Sequence, residues 1–109
     1  MNLPNADRAV IDTAKIRDYL LSPIHPVGRF KAAFFSTLGY STDGWSILRD
    51  DLLALARTAP VSEKSSSFGR IFEADGILTG PSGRSANIRT IWIMRATEDV
   101  PRFVTAFPR

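Results

Sequence analysis

The stretch Phe68-Gly69-Arg70-Ile71-Phe72-Glu73-Ala74-Asp75-Gly76-Ile77-Leu78, followed by Thr79-Gly80-Pro81-Ser82-Gly83-Arg84 and then Ser85-Ala86-Asn87-Ile88-Arg89-Thr90-Ile91-Trp92-Ile93-Met94-Arg95, decides the fold class. It reads as two strands rich in β-branched and aromatic residues, joined by a Gly/Pro/Ser loop. In the second strand Ile88, Thr90, Trp92 and Met94 fall on one face and Arg89, Ile91, Ile93 and Arg95 on the other. Gly76 suggests a bulge in the first. A last strand is predicted over Arg102 to Phe107, after the loop Ala96 to Val100.

Upstream the period is helical. Asp12 or Thr13 offers an N-cap, and Ile16, Tyr19 and Leu20 recur at helical spacing until Pro23. The turn Ser22-Pro23-Ile24-His25-Pro26-Val27-Gly28 precedes a second helix over Arg29 to Leu38. Phe30, Ala33, Phe34 and Leu38 form its expected buried stripe, with Gly39 as a left-handed C-cap. Thr42 or Asp43 caps a third helix whose Trp45, Leu48, Leu52 and Leu55 face inward. Ala9-Val10-Ile11 suits a sheet edge, and Pro60 to Ser67 reads as a mobile connector. The expectation is an α+β fold: about three N-terminal helices packed on a small antiparallel sheet of three to four strands, as a single domain over 1–109.

Composition narrows the chemistry. The 109 residues suffice for one core. There is no cysteine and a single histidine, which removes disulfide scaffolds, zinc fingers and thiol nucleophiles, and leaves a soft-metal site to be built almost wholly from carboxylates. No cofactor and no metal are expected. The net charge of +3 comes from 14 Lys plus Arg against 11 Asp plus Glu, most of the basic residues being arginine, whose planar fork suits phosphate or carboxylate. An arginine-rich genome would give the same ratio. Neither half of the chain carries a block of like charge. No apolar run reaches signal-peptide length or the roughly 20 residues of a membrane span, so a cytoplasmic protein without membrane contact is expected, or one delivered by other machinery.

His25 is the one side chain whose ordinary pKa lies near neutrality, so any histidine-based proton transfer must use it. It stands between Pro23 and Pro26 just before a helix N-terminus, with Arg29 and Lys31 following. A histidine beside two cations suits attack of an RNA 2′-hydroxyl on the adjacent phosphate. The competing structural role is a turn cap with a solvated cationic helix face. Asp50 and Asp51 point to different sides of their helix. Glu73 and Asp75 share a strand face as a glycosidase or magnesium pair would, but no third acid joins them. Trp92 and Phe103 could stack bases, although aromatics on central strands are more often core. Gly80-Pro81-Ser82-Gly83 lacks the strand–turn–helix setting of a phosphate loop.

Taken in order, the motifs Leu3-Pro4-Asn5-Ala6, Lys15 leading to Tyr19-Leu20-Leu21-Ser22-Pro23, His25-Pro26-Val27-Gly28-Arg29-Phe30-Lys31-Ala32, Phe34-Phe35, Leu38-Gly39-Tyr40, Thr90-Ile91-Trp92-Ile93 and Pro101-Arg102-Phe103-Val104-Thr105-Ala106-Phe107-Pro108 resemble a family of small bacterial domains found alone or at the C-terminus of larger secreted toxin-like proteins. The layout is similar to the barnase/EndoU/colicin/RelE-like superfamily of metal-independent ribonucleases, many of them toxins restrained by an antitoxin or immunity protein. The resemblance implies His25, Lys31, Thr90 and Thr105 as catalytic residues and Arg29 and Arg102 as phosphate contacts, with Thr90 and Thr105 placed by strand position alone. It implies RNA as substrate and a cognate antitoxin or immunity protein encoded nearby. The chain departs from the glutamate–histidine arrangement of barnase-like members and from the histidine pair of EndoU-like ones, so Lys31, an arginine or the substrate must fill the second proton-transfer role. The alternatives are a non-catalytic nucleic-acid- or protein-binding module encoded on mobile elements, or a structural remnant of a larger secreted protein.

Overall fold

A computed structural model describes every residue from Met1 to Arg109. A single-turn helix α1 (Thr13–Lys15) runs straight into a π-helical turn, Ile16–Leu20; then follow α2 (Gly28–Thr37) and α3 (Trp45–Thr58). The strands are β1 (Val61–Ser66), β2 (Gly69–Thr79), β3 (Ser85–Arg95) and β4 (Arg102–Pro108), paired antiparallel in the order β1-β2-β3-β4. The α+β class and the sheet of four strands agree with the sequence expectation.

The period-2 pattern of β3 does what it should: Ile88, Thr90, Trp92 and Met94 are buried while Arg89, Ile91 and Ile93 are half-exposed. The helices cover that first face, where Phe72, Trp92 and Phe103 meet Ile16, Leu20, Phe35, Leu48 and Leu52 in one core. Trp92 and Phe103 stack edge-to-face at 5.3 Å as part of it. The other face of the sheet stays open to solvent. There Glu73 and Asp75, side by side, are both bound by Arg89, and Lys64 and Arg109 add to the array. These carboxylates are neutralised by arginine and lysine rather than left to work as an acid–base pair.

Four expectations are corrected. Pro60 to Ser67 is mostly ordered strand: Val61–Ser66 pairs with Gly69–Ala74 on the outer edge of β2. It carries no apolar alternation because it is an edge strand exposed on both faces, and its backbone hydrogen bonds hold it instead. Gly76 does not bulge; the register runs through it opposite Ile88, and Leu55 packs over it, where a Cβ would come within 3.0 Å. The irregularity lies between β3 and β4 at Ile91/Trp92. The buried face of α2 is Gly28, Ala32 and Phe35, whereas Phe30 is 68% exposed and Ala33 faces solvent. Small residues set that face, because α2 lies against backbone: a Cβ on Gly28 would sit 2.0 Å from the Tyr19 carbonyl oxygen. Finally, Thr42 does not cap α3, since its hydroxyl donates to the Leu21 carbonyl. As expected, Gly39 ends α2 with φ +95°, and the Tyr40 N–H returns to Phe35 O and the Gly39 N–H to Ser36 O in a Schellman motif. Val10 lies beside the start of β4, bridging to Arg102.

Candidate functional site

The turn before α2 is built around His25. Its carbonyl accepts the Arg29 N–H at 3.0 Å, and its ring Nδ1 accepts the N–H groups of Val27 at 3.0 Å and Gly28 at 2.9 Å. His25 therefore caps the Pro26–Val27 turn that leads into α2, ahead of the helix's own N-cap Val27, and satisfies two N–H donors at the helix entrance. Ser22 Oγ accepts the N–H groups of Ile24 and His25 from below. Two donors aimed at Nδ1 require its lone pair, so in the neutral ring the proton sits on Nε2. That N–H is the polar atom His25 has left to offer a ligand.

Tyr19 stands beside it. The π-helical turn, closed by the Leu21 N–H to Ile16 O at 2.9 Å, carries the Tyr19 ring edge-on against His25, with centroids 5.1 Å apart. Short π segments are frequent at functional positions. Lys31 Nζ lies 5.4 Å and Lys15 Nζ 5.9 Å from the centroid of the same ring, within cation–π range. The Tyr19 hydroxyl and Thr105 Oγ1 are 3.4 Å apart, linking the helical layer to β4. Partial burial works to raise the Tyr19 phenol, but the Thr105 hydroxyl and the Lys31 and Lys15 ammoniums outweigh it and hold the group below its ordinary range.

The charge around this cluster is uneven in a way the sequence total conceals. The cations that belong to no ion pair are Lys15, Arg29, Lys31, Arg57 and Arg84. Lys15, Arg29 and Lys31 surround the His25 turn, so this surface keeps free positive charge while most of the remainder is neutralised locally.

The structure thus brings together three of the residues singled out by sequence, His25, Lys31 and Thr105, and adds Tyr19 and Lys15. Arg29 lies on the opposite flank of α2 from Lys31, its guanidinium 4.8 Å from the Phe30 ring centroid, at the wall of a cleft with Ser36 and Tyr40. Thr90 does not reach this surface: it is 0% exposed, donating to Ala74 O at 3.0 Å and accepting the Trp92 indole N–H at 2.8 Å. Arg102 is bound to Glu98 at 2.7 Å. Tyr19 and Lys15 sit at i and i+4 spacing, a signal that places both on one helix face. What sequence could not supply was the approach of β4. No three of the histidine, aspartate and glutamate side chains converge.

A family model described as "Domain of unknown function (DUF6883)" matches residues 2–109. The chain belongs to that family. No curated protein matches this DUF6883 chain. Among solved structures it is similar to a chain of a contact-dependent growth inhibition toxin–immunity protein complex from Klebsiella pneumoniae 342, with a TM-score of 0.74 and 18% identity over 95% of this chain and 96% of that one. At that identity the likeness is one of fold. No helix of the DUF6883 chain is long and apolar enough to cross a membrane.

Proposed function

We propose that the protein is a toxin-like endoribonuclease that needs no metal ion, belonging to a toxin–antitoxin or polymorphic-toxin system and restrained by a cognate antitoxin or immunity protein encoded nearby. The observation that carries this reading is the convergence of Tyr19, His25 and the unpaired Lys15 and Lys31 on one surface, tied to Thr105 of β4. The fold shared with a chain of a toxin–immunity complex supports it, and the net charge of +3 favours the toxin side of such a pair, which must meet RNA.

In the proposed reaction the RNA 2′-oxygen bonds to the adjacent phosphorus and the P–O5′ bond breaks, leaving a 2′,3′-cyclic phosphate and a free 5′-hydroxyl. Tyr19, as phenolate, takes the 2′-hydroxyl proton, and Thr105 orients it. Lys31 gives a proton to the departing O5′ and Lys15 offsets the growing phosphate charge. His25 donates its Nε2–H to a phosphate oxygen. Such a hydrogen bond polarises the phosphate without the His25 proton having to move. Arg29 holds RNA on the far flank of α2. Thr90 and Arg102, engaged elsewhere, take no part.

Tyr19→Phe keeps the ring packed against His25 and the lysines but removes the hydroxyl. Cleavage of RNA by the purified protein should fall by about 10²–10⁴-fold, and the alkaline rise of the rate with pH, set by a phenol titrating below its ordinary value, should vanish with it. Undiminished cleavage by this variant would remove Tyr19 from the reaction. One observation favours the non-catalytic alternative: His25 Nδ1 is spent on capping. Salt-sensitive RNA binding with no cleaved product would decide for that binding module.

A further inference from the structure

Arg29 and Lys31 are two positions apart on α2 and therefore project about 200° apart around it. Lys31 reaches Tyr19, while Arg29 opens onto a separate cleft of about 440 Å³ between α2 and the Tyr40–Thr42 turn. The cleft is large enough for a nucleobase with its sugar and unlike the Tyr19 surface in character. Its walls mix small apolar residues, Pro23 and Ala33 among them, with hydroxyl-bearing ones, and Arg29 is its one charged residue.

The polar groups left over in it are specific. Ser36 Oγ donates to Ala33 O, and Thr42 Oγ1 donates to Leu21 O, so both of these lining hydroxyls are left free to accept. Ser41 Oγ accepts the Gly44 N–H, which leaves its own proton to donate. Tyr40 has its hydroxyl held by Asp51 at 2.6 Å, fixing its ring. Such a cleft offers two acceptors, one donor and small apolar contacts beside an unpaired guanidinium, a set that suits a nucleoside with an attached phosphate.

We propose that this cleft is a second nucleotide subsite, which holds the base of a nucleotide flanking the scissile bond while Arg29 grips its phosphate. The inference rests on the ribonuclease reading and extends it. The Ser22–Val27 turn is the ridge between the two sites: Pro23 borders the cleft and His25 borders Tyr19. A helix with its side chains is about 10–12 Å across, a width an extended RNA strand covers within a few nucleotides. A strand crossing the ridge would meet Lys31 on one side and Arg29 on the other.

The test is a titration of isotope-labelled protein with a 2′-O-methyl RNA tetranucleotide, which cannot be cleaved, followed by backbone amide shifts. The subsite predicts shifts at Ser36, Ser41 and Thr42 as well as at Tyr19 and Lys31. Arg29→Gln should erase the first group and raise the dissociation constant about 10-fold or more. Ala33→Trp, an exposed change that fills the cleft, should do the same by exclusion. Shifts confined to Lys15, Tyr19 and Lys31 would overturn the subsite and leave the reaction site standing. Shifts nowhere would overturn both. Cleft shifts together with no cleavage of unmodified RNA would overturn the ribonuclease reading and leave the cleft as a plain RNA-binding site.

Discussion

At the scale of single residues, His25 is asked to do two things with one ring. Nδ1 caps the turn entering α2 and Nε2 is the ring atom left for a ligand, so a simple deletion confounds stability with function. Asparagine separates the two, because its side-chain oxygen is among the best N-caps and it has no ring. His25→Asn should unfold in denaturant close to the parent, whereas His25→Ala should lose about 1 kcal/mol. If the ring contributes to the reaction, both variants should lose cleavage to a similar extent, read on the same RNA. Full cleavage by His25→Asn would reduce His25 to a cap. Sequence alone brought both roles into view, since proline on either side and a following helix announce a cap as strongly as a site. Tyr19 was harder to recognise: a lone tyrosine in a short helix is ordinary until Thr105, 86 residues away, is seen beside it.

Thr90 belongs to the scale of elements, because it joins two strands. Its hydroxyl spans from β3 to the Ala74 carbonyl of β2 and also receives the Trp92 indole. Thr90→Val keeps the shape but strands the Trp92 N–H in the core, which should cost about 1–3 kcal/mol in equilibrium denaturation. Thr90→Ser, able to keep both bonds, should recover most of that loss. Equal stability of the two variants would show the hydroxyl to be dispensable. Strand position identified Thr90 correctly as a member of the Ile88–Met94 face, yet that face turned out to be the packed one, so polarity there meant a hydrogen-bonded core. The same reasoning explains α2, where the bulky Phe30 points outward and Gly28 sets the contact. Hydrophobic size is a poor guide where a helix must approach backbone. β1 leaves no pattern to read because only Val61 of this edge strand packs against the core; the need for it comes from the outer edge of β2.

Over the whole molecule, pairing of charges fixes the pH range of stability. Arg70 beside Glu63, Lys64 beside Glu73, Arg102 beside Glu98 and Arg17 beside Asp18 each hold a carboxyl below its usual value. A depressed carboxyl contributes stability that is present above the ordinary value of about 4 and lost as pH falls through the folded one. These groups are exposed, so each effect is small and screened by salt. At the other end, burial and the neighbouring Asp51 push the Tyr40 phenol up, and a raised phenol contributes stability below its ordinary value of about 10 that disappears as pH rises. Urea midpoints should therefore plateau near neutrality and decline on both sides, the acid limb softening in high salt. Tyr40→Phe should flatten the alkaline limb; an unchanged limb would show that Tyr40 does not govern it.

The sequence by itself determined the α+β class, the faces of β3, the Schellman end of α2 and the turn at His25. Each of these depends on neighbours within a few residues, where periodicity and capping chemistry act. Only the tertiary structure decided which cations remain free, that β1 is a strand, that Thr90 is core and that Arg29 and Lys31 serve different flanks of one helix. Those outcomes depend on what the chain brings up from far away: an opposing carboxylate, an unpaired strand edge, or a carbonyl close enough to demand glycine.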